Sequence, residues 1–340
     1  MFAMVLVASP TRAQLVDYEL VTVGDPGNAP DASGNGAVPY EYRIGKYEVT
    51  IGQYTAFLNA VAKADPNSLY NMNMATDLNV AGISRADLPG SYTYAAIGPF
   101  GDVQIPQASA VNRPITYVNW FDAARFANWL ANGQPTGAQG PTTTENGAYD
   151  LTNSLSGSVP ALNATNPNTG AVPLYHIPTL NEWYKAGYYK GGGVSAGWWP
   201  YATQSDTPPG TTIGSGANRA NYNNGVFSVT QLAVQDVTQN YLTNVGAFFG
   251  SPSTYGTFDQ SGNVIENFDT AGAEEPQPSE QISLNFSKIT AYAFEPTQEL
   301  SYLGFRLAAP AIVPEPATYA MALAGLACGG FSMWRRRKQA

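Results

Sequence analysis

Three stretches of the chain place apolar residues at a helical period behind a capping residue, the local signature of a helix start. Thr50-Ile51-Gly52-Gln53 leads into Tyr54, Phe57, Leu58 and Val61, spaced i, i+3, i+4 and i+7. Asn119 with Asp122 opens NWFDAARFANWLANG, and Gly133 stands where a left-handed residue closes a helix. Thr179 with Glu182 opens TLNEWYKAGYYKG, which Gly191 can close. The aromatic residues of these helices read as core. YEYRIGKYEVT, residues 40–50, and LGFRLAAP, residues 303–310, read as strands. Between these pieces the chain is Gly, Pro, Asn and Thr with short apolar patches. Residues 64–113 and 132–170 read as long insertions, a length that packs on itself or carries function.

Composition sharpens this picture. Of 340 residues 44% are apolar, with 21 Tyr, 14 Phe and 6 Trp, enough for a large core without disulfides. Only 12% are charged, against 34 Gly and 25 Pro, so the surface is polar and rich in loops. The formal net charge is −9; Arg335, Arg336, Arg337 and Lys338 hold +4 of it at one end, which leaves −13 for the rest. Such an acidic body excludes a nucleic-acid partner, whose backbone demands clustered Lys and Arg. Cys328 is the single cysteine, so an intrachain disulfide, a CxxC redox pair or a cysteine zinc site cannot be built. His176 is the single histidine and reads as a packed core residue.

The two ends read as addresses. MFAMVLVASPTRAQ, residues 1–14, looks like the tail of a secretory signal peptide lacking its basic start; a short buried strand is the alternative. At the other end, Val313-Pro314-Glu315-Pro316 precedes an apolar run, 317–334, and then the basic cluster 335–338. That run is just long enough to span a bilayer as a helix, with the basic cluster held on the cytoplasmic side. Residues 313–340 resemble the PEP-CTERM sorting signal of Gram-negative bacteria. The resemblance implies recognition by an exosortase, membrane contact through the C-terminal helix, and display at the cell surface or in an exopolysaccharide matrix. A plain single-pass anchor is the alternative.

TFDQSGNVIENF, residues 257–268, sets Asp259 and Glu266 around a Gly-Asn turn. A hard-cation cage uses such oxygens; a polar turn whose carboxylates cap backbone N–H groups does so too. Glycoside hydrolysis by paired acids among Asp259, Glu266, Asp269, Glu274 and Glu275 is a weaker alternative.

The order YRIGKYEVTIGQYTAFLNAV, RPITYVNWFDAARFANWL, YHIPTLNEWYKAGYY, WWPYAT, ANRANYNN, TFDQSGNVIEN and LGFRLA resembles the formylglycine-generating, or sulfatase-modifying factor, family. It covers most of residues 40–308, inside a candidate domain of residues 15–312. The resemblance implies an α+β fold, irregular, loop-rich and C-type lectin-like, followed here by one C-terminal transmembrane helix. It also implies calcium, held by Asp259 and Glu266 with the carbonyls of Gly262 and Val264. A second site would use Asn221 and the Tyr222 carbonyl with Asp236. The family's oxidase chemistry needs a cysteine pair in the segment before GFR that binds copper. SLNFSKITAYAFEPTQELSYLGFR contains none, so no copper site is expected and formylglycine generation is excluded by that mechanism. The related iron-dependent sulfoxide synthases need several histidines, and this chain has one. The leading expectation is a non-catalytic surface domain that binds a ligand or exopolysaccharide. Its ligand face would include Trp198, Trp199 and Tyr201, for which core packing is the alternative. An oxidoreductase of altered chemistry and a purely structural matrix protein remain open.

Overall fold

The computed structural model describes residues 15–98, 110–152, 154, 158–269 and 295–311. The chain divides into a unit Met1–Pro310 and a unit Ala311–Ala340, and all of the second but Ala311 lies outside the described residues. The signal-peptide remnant 1–14, the motif 313–316, the apolar run 317–334 and the basic cluster lie there too. Among the described residues no helix is long and apolar enough to cross a membrane.

Strand β1 (Leu20–Val23) pairs antiparallel with β2 (Tyr42–Gly45), with Leu20 opposite Gly45 and Val23 opposite Tyr42. The third strand of this sheet comes from the far end of the domain, β7 (Ala308–Pro310), antiparallel to β2. The LGFRLAAP stretch is therefore two strands rather than one. Its first part, β6 (Leu303–Gly304), pairs in parallel with β5 (Ile265–Glu266). Between them Arg306 enters the interior while Phe305 and Leu307 enter the main core.

The three expected helices form where their caps lie. Helix α1 (Ile51–Val61), α3 (Trp120–Ala131) and α4 (Leu180–Tyr188) each start with a complete capping box, on Thr50, Asn119 and Thr179 respectively. At the end of α3, Gly133 adopts φ +81°; its N–H donates to the Leu130 carbonyl and the Gln134 N–H to that of Trp129. That is the two-bond closure a left-handed glycine permits. Helix α4 stops at Tyr188, because Tyr189 turns extended, so Gly191 lies beyond its cap. Tyr54, Phe57, Phe126, Trp129 and Phe305 meet ring to ring at 5.3–6.4 Å between centroids, which joins α1, α3 and the β6–β7 link. Thr50→Ala is expected to lower unfolding stability by about 1 kcal/mol, read by urea denaturation.

The described residues of both insertions pack on this core. Within 64–113, short helix α2 (Asn73–Thr76) precedes a hairpin of β3 (Ile83–Ala86) and β4 (Thr93–Ala96). Asn59 of α1 holds β4 by exchanging two bonds with the Tyr94 backbone, at 2.8 and 3.0 Å. Insertion 132–170 is tied down by asparagine amides standing in for a missing β-ladder. Buried Asn128 donates to the Thr144 and Tyr149 carbonyls and accepts the Tyr149 N–H. Asn132, Asn166 and Asn168 extend this network. Loop backbone groups that bury themselves need such partners.

Candidate functional site

Two neighbouring assemblies surround the 257–268 turn. The first is a buried charge cluster. Glu266, on β5, accepts from Arg306 Nε at 2.6 Å and Nη2 at 2.7 Å, and from Trp183 Nε1 at 3.0 Å. Arg306 also donates to the carbonyls of Gly45 and Phe258, both at 2.9 Å. Its side chain is 0% exposed and that of Glu266 1%. Asp259 adopts φ +65° and accepts the Gly246 N–H at 2.6 Å. Burial raises its carboxyl to about 6, against the pull of that N–H and of Arg306. Glu48 completes the group. It is buried, neither carboxyl oxygen has a hydrogen-bond partner, and burial followed by the nearby Asp259 charge pushes it well above the usual carboxylate range.

This arrangement tests calcium at the first expected position, and the donor set does not fit it. Both oxygens of Glu266 are committed to a guanidinium, which puts a positive charge where a shared cation would stand. Gly262 is needed for close backbone approach instead: a Cβ there would lie 2.3 Å from the Asn221 carbonyl oxygen. Val264 packs its side chain with Val80 and Leu242. At the second position, Asn221 donates to the Tyr241 carbonyl and to Asn263 Oδ1, and its own carbonyl accepts the Asn263 N–H, each at 2.9 Å. The Tyr222 carbonyl accepts from Ser228 Oγ. Asp236 is exposed and spends Oδ1 on the Thr238 N–H and hydroxyl. These residues form a hydrogen-bonded framework rather than a cation cage. Among the described residues no group of three or more His, Cys, Asp or Glu side chains could hold a metal ion.

The same framework forms the floor of the second assembly, a cleft of about 160 Å³. Asp77, Asn79, Asn221, Tyr222, Phe227 and Tyr241 line it, with Gln235, Asn263 and Tyr302. The rings of Phe227 and Tyr241 meet at 4.5 Å between centroids, and both residues are half-buried. The polar groups are fixed by one another. Asn79 donates to the carbonyls of Asp236 and Gln239 and accepts from Gln235 Nε2, at 2.8–2.9 Å. Asp77 accepts the Asn79 N–H at 3.1 Å and the Tyr117 hydroxyl at 2.6 Å. A space of this size is comparable to a cavity that admits a single six-membered ring, roughly 150 Å³.

A model of the sulfatase-modifying factor enzyme 1-like domain matches residues 28–310. The chain belongs to this family. A model of the PEP-CTERM protein-sorting motif matches residues 313–338, so this sulfatase-modifying factor domain is followed by the sorting signal of an exported protein. Similar solved structures include "Crystal Structure of CarF", at 20% identity and TM-score 0.41, covering 86% of this chain and 98% of that one. "Treponema denticola variable protein 1" is similar at 15% identity and TM-score 0.43, covering 89% and 100%. "Structure of PvdO from Pseudomonas aeruginosa" is similar at 15% identity and TM-score 0.37, covering 86% and 92%. No curated protein matches the chain.

The other expected positions fall elsewhere in this sulfatase-modifying factor domain. Trp198 stacks on Tyr184 at 4.9 Å and 20°, meets Tyr189 edge-on, and covers Gly36 so closely that a Cβ there would clash. Lys190 sits 4.4 Å over the Trp199 ring, and Tyr201 bridges to Ser205. The Trp198 and Trp199 rings are thus engaged by neighbours, the Tyr201 bridge is made by its backbone, and all three residues are half-buried. His176 is buried, with Nε2 3.5 Å from Glu182. Most of the segment expected to hold the family's cysteines, and Glu274 and Glu275, lie outside the described residues. Sequence reasoning missed Glu48, Arg306 and the Asp77–Asn79 edge of the cleft. The one available signal was GFR itself, an arginine between two core residues.

Proposed function

We propose that this chain is exported, sorted at the envelope through residues 313–338, and displayed there as a non-catalytic binding domain. The ligand is a matrix polysaccharide, taken up in the 160 Å³ cleft. The observation that carries this reading is the cleft's lining: half-buried aromatic faces beside amides and one carboxylate whose orientations are already set. Apolar walls with a few fixed polar groups are the usual make-up of a small-ligand site. In this proposal an exosortase acts at Val313-Pro314-Glu315-Pro316, the run 317–334 lies in the membrane, and residues 1–14 belong to the export signal. The domain keeps the C-type lectin-like arrangement of its family. The chain's single cysteine, Cys328, lies inside the sorting motif, so a paired-thiolate oxidase centre has no ligands within the domain.

The test is retention of the full chain, purified in detergent, on matrix polysaccharide from producing cells. Saturable retention is expected, insensitive to EDTA, and about tenfold weaker for Phe227→Ala. Phe249→Ala serves as the comparison, since that residue is 63% exposed and lies outside the cleft. Absence of retention by the unmodified chain, or equal loss in both variants, would sink the proposal.

A further inference from the structure

We infer that the cleft selects an uncharged sugar ring and rejects anionic sugars such as uronates. This rests on the reading of the cleft as a saccharide site, and adds which class it takes.

Among the described residues lining the cleft none is Lys, Arg or His, and Asp77 is the one charged side chain. Recognition of a carboxylate or sulfate depends on cationic donors, above all the arginine fork. Here the only formal charge is of the wrong sign for such a ligand. Asp77 has the right chemistry for a hydroxyl. An ionised carboxylate offers about four acceptor sites, and Asp77 uses two, for the Asn79 N–H and the Tyr117 hydroxyl. Sugar hydroxyls are donors that can fill the remaining directions. Asn79 is held from three sides by Asp236, Gln239 and Gln235, so this polar edge is fixed before a ligand arrives.

The rim repeats the preference. Asp236, whose backbone bonds both Asn79 and Tyr241 of the lining, carries a second, exposed carboxylate next to Gln235 in the chain. Leu232, Val234 and Val237 are 62%, 79% and 75% exposed, so the loop that supplies Gln235 to the cleft is apolar and acidic. Outside residues 335–338 the chain carries a net −13, and no compensating field draws in a polyanion. An uncharged ring meets none of this repulsion, and its apolar face can lie on Phe227 and Tyr241.

The experiment titrates the full chain in detergent, by calorimetry, with two oligosaccharides of equal length: a neutral glucose oligomer and a uronic-acid oligomer. The neutral one is expected to bind at least about tenfold more tightly at low salt, and the ratio to shrink as salt screens the charges. Asp77→Asn is expected to reduce that ratio to about threefold, chiefly through stronger uronate binding. Phe227→Ala is expected to weaken both. Uronate binding equal to or tighter than neutral binding overturns the selectivity and leaves the cleft as the saccharide site. Failure of both sugars while matrix retention persists, still weakened by Phe227→Ala, overturns the inference alone, because the cleft then holds the matrix polysaccharide without selecting an uncharged ring of this class. Failure of both together with loss of retention takes down the underlying proposal as well.

Discussion

Replacing Arg306 by Met is expected to destabilise the domain by about 3–5 kcal/mol, more than any other single substitution in the buried charge cluster. The guanidinium makes two bonds to Glu266 and one each to the carbonyls of Gly45 and Phe258. Its loss strands a buried carboxylate and two backbone acceptors, and breaking one partner of such a pair is far costlier than removing both. Glu266→Gln is expected to cost less, because Glu48 and Asp259 lie close enough to influence one another and can supply the counter-charge to Arg306. The double change Arg306→Met with Glu266→Met should recover part of the loss, though not the part due to Gly45 and Phe258. Urea denaturation followed by tryptophan fluorescence measures all three, with Trp183 reporting from the site itself. An Arg306→Met variant within about 1 kcal/mol of the parent would show that the pair is not what holds the turn.

That turn illustrates what the chain disclosed locally and what it did not. The helix starts were legible because a capping box is written within four residues, and Thr50, Asn119 and Thr179 all form theirs. Gly133 was legible for the same reason, whereas Gly191 was not, since tertiary pairing of Tyr189 with Trp198 ends α4 sooner. Asp259 and Glu266 were visible as a pair of acids on one turn. Their use depends on Arg306, forty residues beyond Glu266, and on Glu48, before the first helix. No local period connects those positions. The cleft is harder still, because its walls come from residues 77–80, 221–227, 235–242, 263 and 301–302. Asn221 and Tyr222 were singled out as calcium donors, and both do line this cleft, but as parts of a hydrogen-bonded floor. Trp198, Trp199 and Tyr201 had the composition of a ligand face, and composition does not say whether a ring meets solvent or Tyr184.

The charge cluster also fixes how stability should depend on pH. Asp259 is raised in the folded protein to about 6 from an ordinary value of 3.8. A raised carboxyl means that the folded state binds its proton more tightly than the unfolded state does. Its contribution is therefore complete below the unfolded value and is lost as pH climbs from roughly 4 to 6, by about 3 kcal/mol across that window. Glu48, Asp122 and Glu299 are raised as well, mainly by burial, and act in the same sense. Glu182 opposes them: burial would raise it, but bonds from His176 and Thr179 outweigh that and leave it lowered. Its contribution is present above the ordinary carboxylate value and fades in acid. Stability is thus expected to be greater near pH 5 than near pH 7.5, unlike a protein whose carboxylates are mostly ion-paired. Asp259→Asn isolates the effect, because Asn keeps an acceptor for the Gly246 N–H and tolerates φ +65°. Urea unfolding should show this variant gaining on the parent steadily between pH 4 and 6, with a constant advantage above that. Parallel pH profiles for the two would mean that Asp259 is ionised alike in both states, and that Glu48 alone carries the cluster's excess proton.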